Sequence, residues 1–372
     1  DLSAPELLAR TSQIQAWLKP ITYYNIVSPI GLAIRLALFR VSDDSLPNDA
    51  SPEITASREL QALAADLRAA AHGTLDRDRL NTLLTETPEF SERFQQWLNA
   101  YGYLSEVGTD IAVPTWSDRP DTLKTLLFSL ASQTLADPTP DPKAGWGKRW
   151  RAKQCAGRSR VRDRVAEIYA RLLAHLRWTF VELERRGRAT GAFANEGDIF
   201  FLTYPEVQQW VGDAFSPAAI APLIAERRTQ LEADRDRGVP PVIYGDRLPL
   251  PRTPMPDAAT DLTGIPASAG LAEGAVKICR SLASYTPNSG DTPIVLVVPY
   301  TDAGWAPLLA SAKAIVAEVG GQLSHGAIVA REYGIPAVMN VENATNKLRD
   351  GQWVRVDGAR GLVEISDSQS QP

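Results

Sequence analysis

The 372-residue sequence is poor in sulfur and in imidazole, holding 2 cysteines, 2 methionines and 3 histidines. Cys155 and Cys279 lie far apart, with no CxxC spacing. That excludes a disulfide-stapled fold and reads as reduced, buried thiols of a cytoplasmic protein. His72, His175 and His325 are too few for a histidine-rich metal centre, and no metal ligand is assigned. An excess of positive charge is also lacking. A net charge of −5 leaves no cationic field to release counterions, so nucleic acid is excluded as a partner. A long uninterrupted apolar run is missing as well. The most apolar stretch, residues 21–39, is broken by Asn25, Ser28-Pro29 and Arg35, whereas a membrane span needs ~20 nearly uninterrupted apolar residues. It reads as a buried helical pair, with a membrane-surface helix as the alternative. The chain opens on Asp1 with no leader-like segment, a start that allows it to be a fragment of something longer.

What is present points to an ordinary globular chain too long for one small core, so two or three domains are expected. The first 250 residues carry helical spacing. Leu60, Leu63, Ala64 and Leu67 share one face over 59–71, and Leu123, Leu126, Leu127 and Leu130 share another over 122–135. Residues 161–186 form the longest candidate, stopped by Gly187. The eight basic residues of 148–164 read as a solvated helix face. Most of the tryptophans read as core. Pro- and Asp-rich segments at 43–52, 137–147 and above all 249–261 mark linkers. Beyond them, short β-branched runs at 275–279, 294–298, 314–317 and 337–341 read as strands, and 353–356 with 362–365 as a closing hairpin or a tight β-arch. The expected class is therefore α+β and multidomain. A mainly helical domain spans 1–250, a linker 251–261, and a compact strand-and-helix domain 262–368.

The chemistry concentrates in Gly320-Gly321-Gln322-Leu323-Ser324-His325-Gly326. A strand runs into two glycines, then a serine able to N-cap, then a histidine in the first turn of a helix. The first-turn amides and helix dipole favour an anion there by about 0.3–1 kcal/mol. The same dipole disfavours imidazolium, so the ring is expected to stay neutral and nucleophilic near pH 7. The paired glycines allow close approach of a phosphate. His325 is thus the candidate nucleophile. Gly320, Gly321, Ser324, Gly326 and Arg331 are the candidates to steady a phosphoryl group.

The string resembles the phosphohistidine signature of the PEP-utilising enzymes: pyruvate phosphate dikinase, PEP synthase, enzyme I of the sugar phosphotransferase system, and rifampin phosphotransferase. The likeness continues in Gly264-Ile265-Pro266-Ala267-Ser268-Ala269-Gly270, in Thr301-Asp302-Ala303-Gly304-Trp305-Ala306-Pro307, and in Glu332-Tyr333-Gly334-Ile335-Pro336. It departs at Leu323, where most members carry Thr, at Ala269 for a common Pro, and at Asn340 for a common Gly. Only 47 residues follow His325, too few for the PEP-binding barrel of ~250 residues that follows it in dikinases. The order is that of the rifampin type, whose helical part Gly102-Tyr103-Leu104, Thr115-Trp116 and Gly197-Asp198-Ile199 resemble. Members there show a Gly-His-Arg-like string in place of Gly102-Tyr103-Leu104.

The resemblance implies a β/β/α swivelling phosphohistidine domain in a phosphotransferase. ATP and Mg²⁺ would be used by an ATP-grasp domain, missing here or on another chain, since no ATP site is identifiable in this sequence. His325 would pass phosphoryl to a small-molecule acceptor, pyruvate or an apolar compound, on the helical domain. The alternatives are a non-catalytic docking protein that retains the histidine domain, or a stand-alone phosphorelay carrier.

Overall fold

The computed structural model describes residues 2–41, 51–71, 77–132, 146–235, 261–286, 292–322 and 324–366, with backbone alone at 146–149 and 152. The 251–261 linker (Asp261 excepted), His72, Leu323 and most of the 43–52 and 137–147 segments lie outside the described residues. The helices of the first part are α1 (Ala4–Phe39), α2 (Pro52–Ala70), α3 (Arg77–Glu86), α4 (Pro88–Tyr101), α5 (Pro120–Ser132), α6 (Trp146–Ala189), α7 (Tyr204–Val211) and α8 (Pro217–Arg235). The chain divides into two compact bodies, Asp1–Lys19 with Leu172–Ala258, and Pro20–Arg171 with Ala259–Pro372. The helical residues are shared between them.

In the first body a buried stripe of Leu7, Thr11 and Ile14 follows helical spacing on α1. Leu183, Ile199, Val207 and Ile220 are buried in the same body. Two buried carboxylates are satisfied by backbone rather than left bare. Glu184 accepts the amides of Gly197 and Ile199, and Asp198 those of Ala194 and Asn195 as well as Arg228.

In the second body α2 starts with Pro52, whose missing N–H is harmless in a first turn, and buries Ile54, Leu60, Leu63, Ala64 and Leu67. Trp97 stacks on Trp116 at 5.1 Å between ring centres and donates its indole N–H to the Ala56 carbonyl, so both tryptophans are core.

The strands are β1 (Leu262–Thr263), β2 (Ile265–Ser268), β3 (Leu271–Ile278), β4 (Ile294–Val298), β5 (Ala314–Ala317), β6 (Ala337–Met339), β7 (Trp353–Asp357) and β8 (Leu362–Ile365). Among the described residues they form one sheet in the order β1-β8-β7-β3-β4-β5-β6-β2. β3 to β6 run parallel and the flanking pairs antiparallel. Only Gly264 separates β1 from β2, which lie at opposite ends of that order, so the sheet curls until its edges nearly meet. Gly264 donates to the Gly361 carbonyl at that seam. Three short helices complete the domain: α9 (Ala306–Leu309), α10 (His325–Glu332) and α11 (Ala344–Lys347). Val295, Val297, Val316, Val338, Val354, Val356 and Val363 form its core, as β-branched residues do on a covered face. The expected hairpin pairs as β7 with β8. Asn340 sits at φ 56°, a left-handed position that asparagine tolerates best after glycine.

One expectation is overturned. Residues 21–39 are not a buried helical pair but the continuation of α1, which runs through Pro20 and Pro29. Leu32 is buried against Cys155, with Leu36, Phe39 and Val41 around it, while Tyr23, Tyr24, Ile26, Ile30, Ile34 and Leu38 are exposed. Arg35 donates to the Gln154 carbonyl, so it anchors the helix rather than breaking it. By length and composition alone, α1 could cross a membrane.

Leu296 lies on the central strand β4 and is almost fully buried. Leu296→Ala should lower stability by about 2–5 kcal/mol. A urea melt checks this through a fallen midpoint at unchanged slope. A loss below about 1 kcal/mol would contradict the packing described.

Candidate active site: a histidine between two carboxylates

β5 delivers the chain to Gly320, at φ 146°, where any side chain would be strained and would crowd Ser324 Oγ at 3.1 Å. Gly321 makes no such demand on space, but its carbonyl accepts both the Ser324 amide and the Ser324 hydroxyl. Ser324 holds the extended N-cap conformation, yet its side chain does not cap. His325 therefore opens α10, as the sequence reading placed it. Gly326 is required by packing. A β-carbon there would lie 2.6 Å from Thr301, whose hydroxyl accepts the Gly326 amide at 3.2 Å.

The imidazole reaches across to the helical part of its body. His325 Nδ1 donates to Glu53 Oε1 at 3.2 Å, and Nε2 lies 3.6 Å from Asp302 Oδ1. The ring keeps 42% of its side-chain surface, Glu53 only 12% and Asp302 26%. Asp302 is fixed by two amides, Gly108 N–H at 2.8 Å to one oxygen and Ala303 N–H at 2.7 Å to the other. Glu53 stands in the first turn of α2.

This geometry corrects the expectation of a neutral ring. Burial alone would lower the imidazole, but the Glu53 hydrogen bond and charge, aided by Asp302, outweigh it and raise His325 to about 9. Arg162 opposes them weakly. Burial likewise works against the Glu53 carboxylate, and its hydrogen bond and charge interaction with His325 prevail, lowering it to about 2. A local helix dipole, worth about 0.3–1 kcal/mol, loses to two carboxylates within 4 Å.

Arg331 also serves otherwise than expected. Its guanidinium donates to the carbonyls of Ala267 and Gln322, bracing the glycine loop from behind. Arg162, read from sequence as part of a solvated face, is drawn inward by Asp163 at 2.8 Å. Tyr103 is buried beneath the Arg171 guanidinium, 4.1 Å from ring centre. Burial, together with nearby Glu167, raises its phenol, so it stays protonated. Glu53 was not singled out from sequence, and nothing local marks it 272 residues before the histidine. Asp302 lay inside a quoted motif but had no role assigned. Among the described residues no group of three or more His, Cys, Asp or Glu side chains is placed to share a metal ion.

Further contacts join the two parts around the histidine. Gly304 donates to the Ser105 carbonyl at 3.0 Å, so close that a β-carbon on Gly304 would lie 2.4 Å from that backbone. Trp305 Nε1 donates to the Glu106 carbonyl and Leu282 N–H to the Glu106 carboxylate. Arg58 pairs with Glu332 at 3.3 Å, and Tyr333 shares a hydrogen bond with Ser57.

The raised imidazole makes the contact pH-dependent. The paired form has the higher pKa, so this contribution is fully present below the free ring's ~6.5 and lost as pH rises through about 9. Ring-proton NMR of the histidines should show His325 titrating near 9. Glu53→Gln should bring that midpoint to ~6.5 or below. An unsubstituted His325 titrating near ~6.5 would contradict the pairing.

Residues 48–185 match the family model of the rifampicin phosphotransferase fourth domain, and residues 290–361 that of the PEP-utilising enzyme mobile domain. Rifampicin phosphotransferase of Streptomyces sviceus is 30% identical over 372 residues, covering 92% of this chain and 40% of that protein. Rifampicin phosphotransferase of Bacillus cereus is 45% identical over 107 residues, 29% of this chain and 12% of that one. Phosphoenolpyruvate synthase of Aeropyrum pernix is 46% identical over 111 residues, 29% and 13% respectively. The chain thus spans about 40% of the length of the Streptomyces relative. Glu53 falls within the first matched region, Asp302 and His325 within the second. The chain thus carries a region of the rifampicin phosphotransferase fourth-domain family followed by a PEP-utilising enzyme mobile domain, and the relatives it matches are named rifampicin phosphotransferase and phosphoenolpyruvate synthase.

Proposed function

We propose that His325 is a phosphoryl carrier that is loaded at one site and discharged to a small-molecule acceptor at another. The observation that carries this reading is the position of the ring. It opens α10 behind a glycine loop, keeps 42% of its surface, and stands where the mobile domain meets the helical part. A group meant only for packing would be enclosed on every side.

As described, the ring is held as imidazolium, which has no lone pair to offer. Phosphoryl transfer to it therefore requires the ring to leave Glu53 and Asp302. Away from them its pKa returns toward ~6.5, and a substantial neutral fraction exists near pH 7. This supports a carrier that works at more than one station. The reading places ATP and its metal on an ATP-grasp domain outside this chain, the partner that the family resemblance implies. The helical domain would present the acceptor at a surface other than the one that holds the unloaded ring beside Glu53. Pyruvate, or an apolar compound of the kind rifampicin represents, is the acceptor class the relatives' names suggest.

Incubating the chain with its ATP-grasp domain and labelled ATP should give protein-bound phosphate that is labile to acid and stable to base. His325→Ala should abolish it. Label of equal yield in His325→Ala would overturn the assignment, and absence of any label would favour a histidine domain kept only for docking.

A further inference from the structure

Both ring nitrogens of His325 face carboxylates, one from each part of the body. Glu53 Oε1 is 3.2 Å from Nδ1 and Asp302 Oδ1 is 3.6 Å from Nε2. The shorter separation is that of a hydrogen bond, and neither leaves room for a phosphorus with three further oxygens. Asp302 cannot easily swing aside, because the amides of Gly108 and Ala303 hold both its oxygens. From these contacts we infer that the helical face formed by Glu53 and residues 105–108 is a docking station for the unphosphorylated carrier only, so that loading His325 releases it.

The inference rests on the reading of His325 as a phosphoryl carrier. Its logic is a reversal of charge. The groups facing the ring are Glu53 from α2, Asp302 from the turn before α9, and Arg162 from α6. Two carboxylates and one more distant cation favour a positive ring, and the raised imidazole agrees. A phosphoryl group brings roughly two negative charges into the same place. Those charges would face Glu53 and Asp302, both poorly exposed, where repulsion is weakly screened. The remaining contacts combine packing of α2 against α9 with hydrogen bonds, from Gly304 N–H to the Ser105 carbonyl, Gly108 N–H to the Asp302 carboxylate and Leu282 N–H to the Glu106 carboxylate, which water can replace on separation. The same face that recognises the empty carrier thus rejects the loaded one.

Three amides donate across this contact, those of Gly108, Leu282 and Gly304, and their hydrogen exchange reports docking directly. The chain can be loaded with phosphoramidate. A ring-nitrogen lone pair forms the new P–N bond as the reagent's P–N bond breaks, ammonia leaves, and the proton displaced from the ring goes to water. On loading, exchange at the three amides should quicken by about tenfold or more, equivalent to ~1.4 kcal/mol. His325→Ala treated identically should show no such change. His325→Glu, which sets a fixed negative charge against Glu53, should match the loaded protein, and adding Glu53→Lys to it should restore protection. Unchanged protection in protein shown by mass to be phosphorylated at His325, or in His325→Glu, would overturn the inference. If His325→Glu undocks but ATP never labels His325 in the complete enzyme, the carrier reading fails while the charge selectivity stands.

Discussion

The arrangement depends on one imidazolium shared between two carboxylates. A carboxylate as poorly exposed as Glu53 is tolerated only because the ring neutralises it and donates to it. The ring is cationic only because Glu53 and Asp302 flank it. Asp302 in turn is aimed by the Gly108 amide, which belongs to the helical part, so the mobile domain's own carboxylate is set by its docking partner. Separate the two parts and each member of the trio changes character. The carboxylates regain water, and the imidazole returns toward the near-neutral form that the proposed phosphoryl transfer requires.

The glycines near this trio are placed for approach. Gly304 lets the turn before α9 lie against the backbone of Ser105 and Glu106. Gly326 lets Thr301 sit on the first turn of α10, which brings Asp302 to Nε2. Gly320 supplies the left-handed turn that starts the helix where it starts. Arg331, a charged residue in the last turn of α10, braces the loop through two carbonyls and so keeps the histidine's backbone in place. These are positional functions: they set the angle at which the ring meets the helical part.

The sheet was legible in the sequence because its strands are short β-branched runs bounded by glycine and proline. β4 and β5 begin and end where the residue pattern places them. β1 and β2 were not singled out, since two and four residues beside a glycine carry too little periodicity. The exposure of α1 was misjudged for a related reason: apolar composition says that a face prefers shelter, not that this body supplies it. His325 was legible because its signature is local, seven residues in a row. Glu53 was not, because its role exists only once residues 272 apart in sequence are brought together, and its sequence neighbourhood is that of any helix start. The ring's charge state followed the same rule. Local reasoning considered the dipole of α10 and missed two carboxylates that only the tertiary contact provides.

The central claim is that phosphoryl passes through His325 rather than merely resting there. A pulse–chase on the complete enzyme tests this most directly. His325 is charged with labelled phosphate, excess unlabelled ATP and acceptor are added, and samples are quenched in base on the time scale of turnover. The account predicts that label leaves His325 at a rate no slower than turnover and appears in the acceptor. Label that stays on His325 while unlabelled product accumulates would contradict it.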